Sequence, residues 1–321
     1  MTTHDDRLGE IIRMQRELAD FIFKKRDIRG RDGAVLKCAD VADEIANLEG
    51  HGVFHLPVPP FSLVNEWAVR TAECIADECR ELDELLPWKY WASDGIGERA
   101  HPDATPSERL AHVRIELIDI IFFAIEGLIM MGADDSRKIY RLAHDLDIPS
   151  PLCGVDECMV DEDMLTFLVD QRHKALDTRF ELGGARARDG NVLTVEKIAT
   201  AARELDLTAV GMPNTWLRLA NRRIKASADE IMNAYTGNMI RLANPFKRSP
   251  LKTALYCLGN IVGCAIDGLL MTGSGADEIY DVYKRKHAKN INRQHEDYRI
   301  ATKTEADNDE IARATASAIV T

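Results

Sequence analysis

Cysteine pairs spaced as C-x-x-C are missing from this sequence, which argues against a structural zinc site of the finger or ribbon type. The seven cysteines are scattered, and several stand in apolar stretches, as buried free thiols do. This pattern fits a reducing, cytoplasmic location. Apolar runs of about 18 uncharged residues are also missing, so we expect no membrane span. The polar start MTTHDDRLGE contains no apolar signal core.

Positive charge is scarce relative to negative charge. The net charge is −12 and the isoelectric point is about 5.3. We therefore expect no general attraction to a nucleic-acid backbone. A substrate that carries phosphates would need local basic residues or a metal ion to offset the repulsion.

Alternation of β-branched residues is scarce as well, and helical periodicity dominates, so the sequence predicts an all-α fold. AIEGLIM at 124–130 and AIDGLLM at 265–271 each precede a glycine-containing turn and an amphipathic helix. We therefore predict a helical bundle with two related helix hairpins and a helical insertion or cap. The predicted regions are a core with both acid pairs described below (1–147), an insertion or cap (148–247), a core segment completing a phosphate site (248–300) and a polar tail (301–321).

Two predicted helices carry most of the candidate chemistry. The first spans about 62–86, and the second spans about 108–131 with Ser107 as its N-cap. Each helix holds two acids three positions apart, and this spacing places both carboxylates on one face. The pairs are Glu78 with Glu81 and Glu116 with Asp119.

Paired carboxylates need a proton or a cation between them, because two bare charges about 4 Å apart near a protein surface repel by about 4 kcal/mol. Four hard oxygen donors without cysteine or histidine fit Mg²⁺. Surface acids are a common alternative for Glu78 and Glu81. Glu116 and Asp119 lie among apolar neighbours, where an uncompensated charge is costly.

A basic stretch near the end of the chain forms a second candidate site. Lys286, Asn290 and Arg293 share one helical stripe, and Tyr298 follows one turn later. A point charge, an amide and a guanidinium fork in line suit an oligophosphate. Taken alone, the stripe also fits a solvated basic face.

In order, these motifs resemble those of the all-α dimeric dUTPases, within the all-α NTP pyrophosphatase (MazG-like) superfamily. The order is Gln15, then E-x-x-E followed by PWKYW, then ELID, then K-x-x-x-N-x-x-R-Q-x-x-x-Y. The spacings from Glu81 to Trp88 and from Lys286 to Tyr298 match the family pattern. The motifs span most of the chain.

The resemblance implies a homodimeric, Mg²⁺-dependent enzyme that hydrolyses dUTP to dUMP and pyrophosphate. It implies three sets of site residues, and two members of the metal set are also implied to be catalytic. The sets are Glu78, Glu81 (both also catalytic), Glu116 and Asp119 for metal; Lys286, Asn290, Arg293 and Tyr298 for phosphate; and Gln15, Trp88 and Trp91 for the base.

Several positions depart from the family pattern. Ala19 stands where the family has an asparagine near the base, His287 replaces the asparagine after the motif lysine, and Asp297 replaces a glycine. The metal and phosphate positions are retained, whereas the base-reading positions are partly changed. Hydrolase chemistry is therefore better supported than uracil specificity, and a related deoxypyrimidine triphosphate stays open as substrate.

Two other classes of protein stay open. The dipeptide His144-Asp145 is a feature of HD-type phosphohydrolases, although it also occurs often by chance. A non-enzymatic helical interaction protein would explain the changes at Ala19, His287 and Asp297.

Overall fold

The predicted all-α class is confirmed by a computed structural model of the chain. The structure describes residues 6–30, 32–43, 63–86, 96–144, 163–187, 189–203, 213–235, 250–295 and 306–319. Among these residues there is no strand, and the β features are two isolated bridges, Arg29 with Val35 and Arg186 with Val192.

Ten named helices and a helical stretch at 38–43 lie within the described residues. The two acid helices are α2 and α3, close to their predicted bounds, and part of the predicted polar tail forms α10. The helices are α1 (Arg7–Lys25), α2 (Leu63–Leu85), α3 (Pro106–Met130), α4 (Ser136–His144), α5 (Met164–Leu182), α6 (Val195–Arg203), α7 (Pro213–Tyr235), α8 (Pro250–Met271), α9 (Ala276–His295) and α10 (Ala306–Ile319).

The start of α3 differs from the prediction, and Ser107 is not its N-cap. The backbone N–H of Glu108 donates to Thr105 Oγ1 at 3.3 Å, and Glu108 Oε2 accepts from the Thr105 N–H at 2.7 Å. This reciprocal pair is a capping box. Pro106 then fits the first helical position, because it lacks an N–H that would have no partner within the helix.

Helix α8 has the length and the apolar composition of a membrane-crossing helix over Leu251–Met271. The sequence predicted no membrane span, because Lys252 and Asp267 interrupt the apolar run at this position. In the folded chain, 83% of the most apolar window is buried inside the protein, as in the core helix of a globular domain.

The described residues group into two compact units. Unit 1 draws on Met1–Ala76, Phe122–Leu168 and Lys225–Val262. Unit 2 draws on Asp77–Ile121, Val169–Ile224 and Gly263–Thr321. Both acid pairs and the basic stripe belong to unit 2.

The repeated AI-(E/D)-GL motif has a packing explanation in both units. In unit 1, a Cβ on Gly127 would lie 2.8 Å from Thr71 Cγ2 and 3.0 Å from Leu258 Cδ1. In unit 2, a Cβ on Gly268 would lie 2.9 Å from Leu117 Cδ2. Leu117 lies as far before Gly127 on α3 as Leu258 lies before Gly268 on α8. The two glycine–leucine contacts are therefore equivalent. Glycine is required because any side chain would collide with the leucine.

The loops that follow α1 and α5 are also equivalent. Asp20 Oδ1 accepts from the Cys38 N–H at 2.8 Å in unit 1, and Asp177 Oδ1 accepts from the Val195 N–H at 2.7 Å in unit 2. Each loop is closed by one of the two β-bridges and turns on a glycine in the left-handed region. These glycines are Gly33 (φ 80°) and Gly190 (φ 82°).

Aromatic pairs complete the correspondence. The rings of Phe23 and Trp67 lie 4.9 Å apart between centroids in unit 1, and those of Phe180 and Trp216 lie 4.9 Å apart in unit 2. The predicted hairpin similarity therefore extends to helices α1 and α5 and to helices α2 and α7. Matched contacts at equivalent positions are what an internal duplication produces.

Candidate functional site

Helix α3 is unusual in burying ionisable side chains along with its apolar ones. Every residue over 110–122 is buried. This stretch includes His112 and Arg114, each 2% exposed, Glu116 at 5% and Asp119 at 8%. Buried charges are stable only with charged or hydrogen-bonding partners, so the partners of these residues define what the helix does.

Three carboxylates come together in unit 2. Glu78 on α2 and Glu116 and Asp119 on α3 each place an oxygen within 4.8 Å of the others. The spacing of three residues places both acids of a pair on one face of their helix. In the fold, the acid-bearing faces of α2 and α3 are turned towards each other. Three of the four predicted metal ligands are thus in one place.

Lys286 on α9 completes this acid cluster. Its Nζ lies 2.6 Å from Asp119 Oδ2, and the two side chains are only 3% and 11% exposed. The same Nζ donates to Asn308 Oδ1 on α10 at 2.9 Å. The lysine predicted to bind phosphate is therefore held by one carboxylate and one amide.

Glu116 is a carboxyl group of the cluster whose ionisation is opposed by its surroundings. Burial raises its pKa well above the ordinary value, and the charges of Asp119 and Glu78 raise it further, against the opposing charge of Lys286. Within the described part of the chain, Glu116 Oε2 is buried and has no hydrogen-bond partner. Three carboxylates that face one ammonium favour uptake of a proton or a cation.

Glu81 lies one turn beyond Glu78 on α2 but outside this group of three. Its side chain is 22% exposed and lies 3.7 Å from Arg80 Nη2. Its charge still raises the pKa of Glu116. Glu81 therefore stands at the more open side of the acid cluster.

The other predicted phosphate ligands lie on α9, beyond Lys286. Asn290 and Arg293 are half-buried and follow it by one and two turns of the helix. The remaining predictions for Tyr298, Trp88 and Trp91 fall outside the described residues.

Gln15, the predicted base ligand, lies in unit 1. Its side chain is 2% exposed, and its Nε2 donates to Glu126 Oε2 at 3.2 Å. Burial raises the pKa of Glu126 to about 7, and the hydrogen bond from Gln15 lowers it. In unit 2 the equivalent contact is an ion pair, because Arg172 Nε donates to Asp267 Oδ1 at 2.7 Å.

The acid cluster has an uncharged counterpart in unit 1. Alignment of the repeated motifs and of the paired tryptophans gives the equivalent residues. Glu78, Glu116 and Asp119 correspond to Ser227, Cys257 and Asn260. Asn260 Nδ2 donates to Ser227 Oγ at 2.9 Å, and Cys257 is 1% exposed. The packing of the helices therefore does not itself require carboxylates at these positions.

Two asparagines that support the cluster were not predicted from the sequence. Asn221 on α7 donates to the Cys79 carbonyl at 2.9 Å and to Asp83 Oδ1 at 2.8 Å, which fixes the part of α2 that carries Glu78. Asn308 lies in the predicted polar tail. The helical pattern around it, with buried Ile311 and Ala312, was a detectable but weak signal.

Comparisons of the chain with protein-family models, with curated proteins and with solved structures found no match. The resemblance to the dUTPases therefore stays a prediction from the motifs.

Proposed function

We propose that this protein is a Mg²⁺-dependent nucleoside triphosphate pyrophosphohydrolase, which converts dUTP or a related deoxypyrimidine triphosphate to the monophosphate and pyrophosphate. The observation that carries the proposal is the buried group of Glu78, Glu116 and Asp119, whose oxygens lie within 4.8 Å of one another beside Lys286. The family resemblance of the motifs supports the choice of substrate.

The residues present fit a magnesium ion. All the donors are hard carboxylate oxygens, and Glu116 Oε2 has no other partner among the described residues. Glu78, Glu116 and Asp119 would hold the metal, with Glu81 available from the same helix face. When bound, Mg²⁺ neutralises charge on phosphate oxygens and lowers the pKa of a coordinated water.

The remaining roles follow from charge and position. Lys286 and Arg293 present positive charge to the phosphates, and the Asn290 amide offers neutral hydrogen bonds along the same stripe. Glu81, partly exposed beside the cluster, or Glu78 would accept a proton from the attacking water. Asn308 keeps the Lys286 ammonium in position through its 2.9 Å hydrogen bond.

The HD-type alternative receives no comparable support. His144 ends α4 and stacks on Tyr140 with ring centroids 5.3 Å apart. Among the described residues, the groups of His, Cys, Asp and Glu that could hold a metal do not include His144, and Asp145, the other half of the dipeptide, lies outside the described residues.

Pyrophosphate release in the presence of Mg²⁺ across dUTP, dCTP, dTTP, dATP, dGTP and UTP tests the proposal. We expect the highest rate with dUTP or another deoxypyrimidine. Glu116→Gln should lower turnover by about 100-fold or more, since metal stabilisation of the transition state amounts to several kcal/mol. Glu84→Gln is the matched control, because Glu84 is an exposed acid on α2 that pairs with Arg80.

Two results would reject this function. One is the absence of pyrophosphate release from every nucleotide in the panel. The other is equal turnover in the Glu116→Gln and Glu84→Gln variants.

A further inference from the structure

Unit 2 holds a second group of potential ligands with different chemistry. It consists of His101 in the loop before α3, His112 on α3 and Asp309 on α10, and one ligand atom of each lies within 4.8 Å of the others. The three residues come from separate elements, so no spacing in the sequence revealed them. Two imidazoles and one carboxylate differ from the all-oxygen acid cluster and match the donors that zinc selects.

The geometry of this group is close to that of a metal site. His112 Nε2 lies 3.3 Å from Asp309 Oδ1. Two ligands of a tetrahedral ion bound at about 2.0–2.1 Å are separated by about 3.4 Å, so this pair already has a suitable distance. The rings of His101 and His112 are parallel, at 7°, with centroids 3.8 Å apart. A metal ion lies near the plane of each imidazole that binds it, so His101, which is only partly buried, must rotate out of this stack to become the third ligand.

The surroundings provide room for a fourth ligand. The group borders a cavity of about 320 Å³, which Glu108 and Arg313 also line. A water molecule in this cavity can occupy the remaining coordination position.

We propose that His101, His112 and Asp309 bind a divalent transition-metal ion of the zinc class, with water from the cavity as the fourth ligand. The site shares no ligand with the acid cluster, and the proposal does not rest on the hydrolase function. Metal binding there ties α10 to α3 and to the loop that precedes it. Asn308 is adjacent to Asp309, so a metal bound to Asp309 also restricts the position of the Asn308 amide, which contacts Lys286.

Calorimetric titration of the metal-free full chain with ZnCl₂ tests the proposal. His101→Ala and Asp309→Asn each remove one ligand from a partly exposed position, so both variants should stay folded. Removal of an outer-shell partner already weakens metal binding by about 10–100-fold, so loss of a direct ligand should weaken it by about 100-fold or more. Glu310→Gln should bind zinc like the wild type, because Glu310 is the adjacent exposed acid on α10 and pairs with Lys289.

Two further readouts separate this site from the acid cluster. Co²⁺ bound by two imidazoles in a tetrahedral site gives a strong visible absorption band, whereas an all-oxygen octahedral site gives a weak one. Zinc should also slow hydrogen exchange of the α10 amides. The proposal is overturned if Asp309→Asn binds zinc as tightly as Glu310→Gln does. It is also overturned if Glu116→Gln abolishes the zinc binding, since the ion would then occupy the acid cluster.

Discussion

Glu126 offers a quantitative test of how burial controls the pH dependence of stability in unit 1. Burial raises its pKa from 4.5 to about 7 in the folded chain. The folded state therefore keeps the proton to higher pH than the unfolded state, and stability falls as pH rises through this interval. A full shift from 4.5 to about 7 corresponds to about 3.4 kcal/mol, at 1.36 kcal/mol for each unit. About 3 kcal/mol of this is lost between pH 4.5 and pH 8.

Replacement of Glu126 by glutamine removes the ionisable group but keeps an oxygen that can accept from Gln15 Nε2. We expect the unfolding free energy of Glu126→Gln, relative to wild type, to increase by about 3 kcal/mol from pH 4.5 to pH 8. Urea denaturation followed by circular dichroism at several pH values measures it. Glu17→Gln changes an exposed carboxylate on α1 and is the control. A difference that stays constant within about 0.5 kcal/mol would refute the reasoning, because it would mean that Glu126 titrates alike in both states.

Three more predictions concern the acid cluster. Lys286→Met should cost about 3–5 kcal/mol of stability in metal-free protein, because it leaves Asp119 buried without its cation, and urea denaturation beside Lys286→Arg measures this. Metal-free wild type should lose stability as pH rises above 4.5, since the folded pKa of Glu116 is raised. Glu116→Gln should reduce that slope to the part contributed by Glu126, and saturating Mg²⁺ should reduce the slope of the wild type. A combined variant copies the uncharged residues of unit 1 into the acid cluster and also replaces Lys286, which would otherwise lose its carboxylate partner Asp119. Its substitutions are Glu78→Ser, Glu116→Cys, Asp119→Asn and Lys286→Met. It should fold with at least wild-type stability at pH 7 and show no Mg²⁺-dependent rise in Tm, whereas an unfolded product would mean that the charges are structural.

The parts of the site that lie within single helices could be predicted from the sequence. Helices α2 and α3 have long periodic patterns, so their positions and the faces of the acid pairs followed directly. Lys286 was found for the same reason. The contacts between these helices depend on tertiary packing, which local spacing does not encode.

Residues that reach the site from distant segments could not be predicted from local spacing in the sequence. Asn308 reaches Lys286 from a helix whose buried face has one large apolar residue, Ile311, beside small and polar ones, so the sequence shows little periodic contrast. His101, His112 and Asp309 come from three elements, and the length of the intervening chain hides their proximity. The start of α3 at Pro106 was missed because a capping box outweighs a single good N-cap residue.

The uncharged counterpart in unit 1 indicates that helix packing alone does not account for the acid cluster of unit 2. Unit 1 packs the equivalent helices around Ser227, Cys257 and Asn260 with an ordinary hydrogen bond, so the fold is compatible with neutral side chains there. Burying Glu116 beside the charges of Asp119 and Glu78 in unit 2 opposes its ionisation and lowers stability. A cation that binds the cluster at 100 times its Kd would return about 2.7 kcal/mol. That is of the order of the penalty for one buried charged group whose partner is missing. A cation bound as we propose would therefore couple the stability of unit 2 to its own occupancy, and the combined variant tests this coupling.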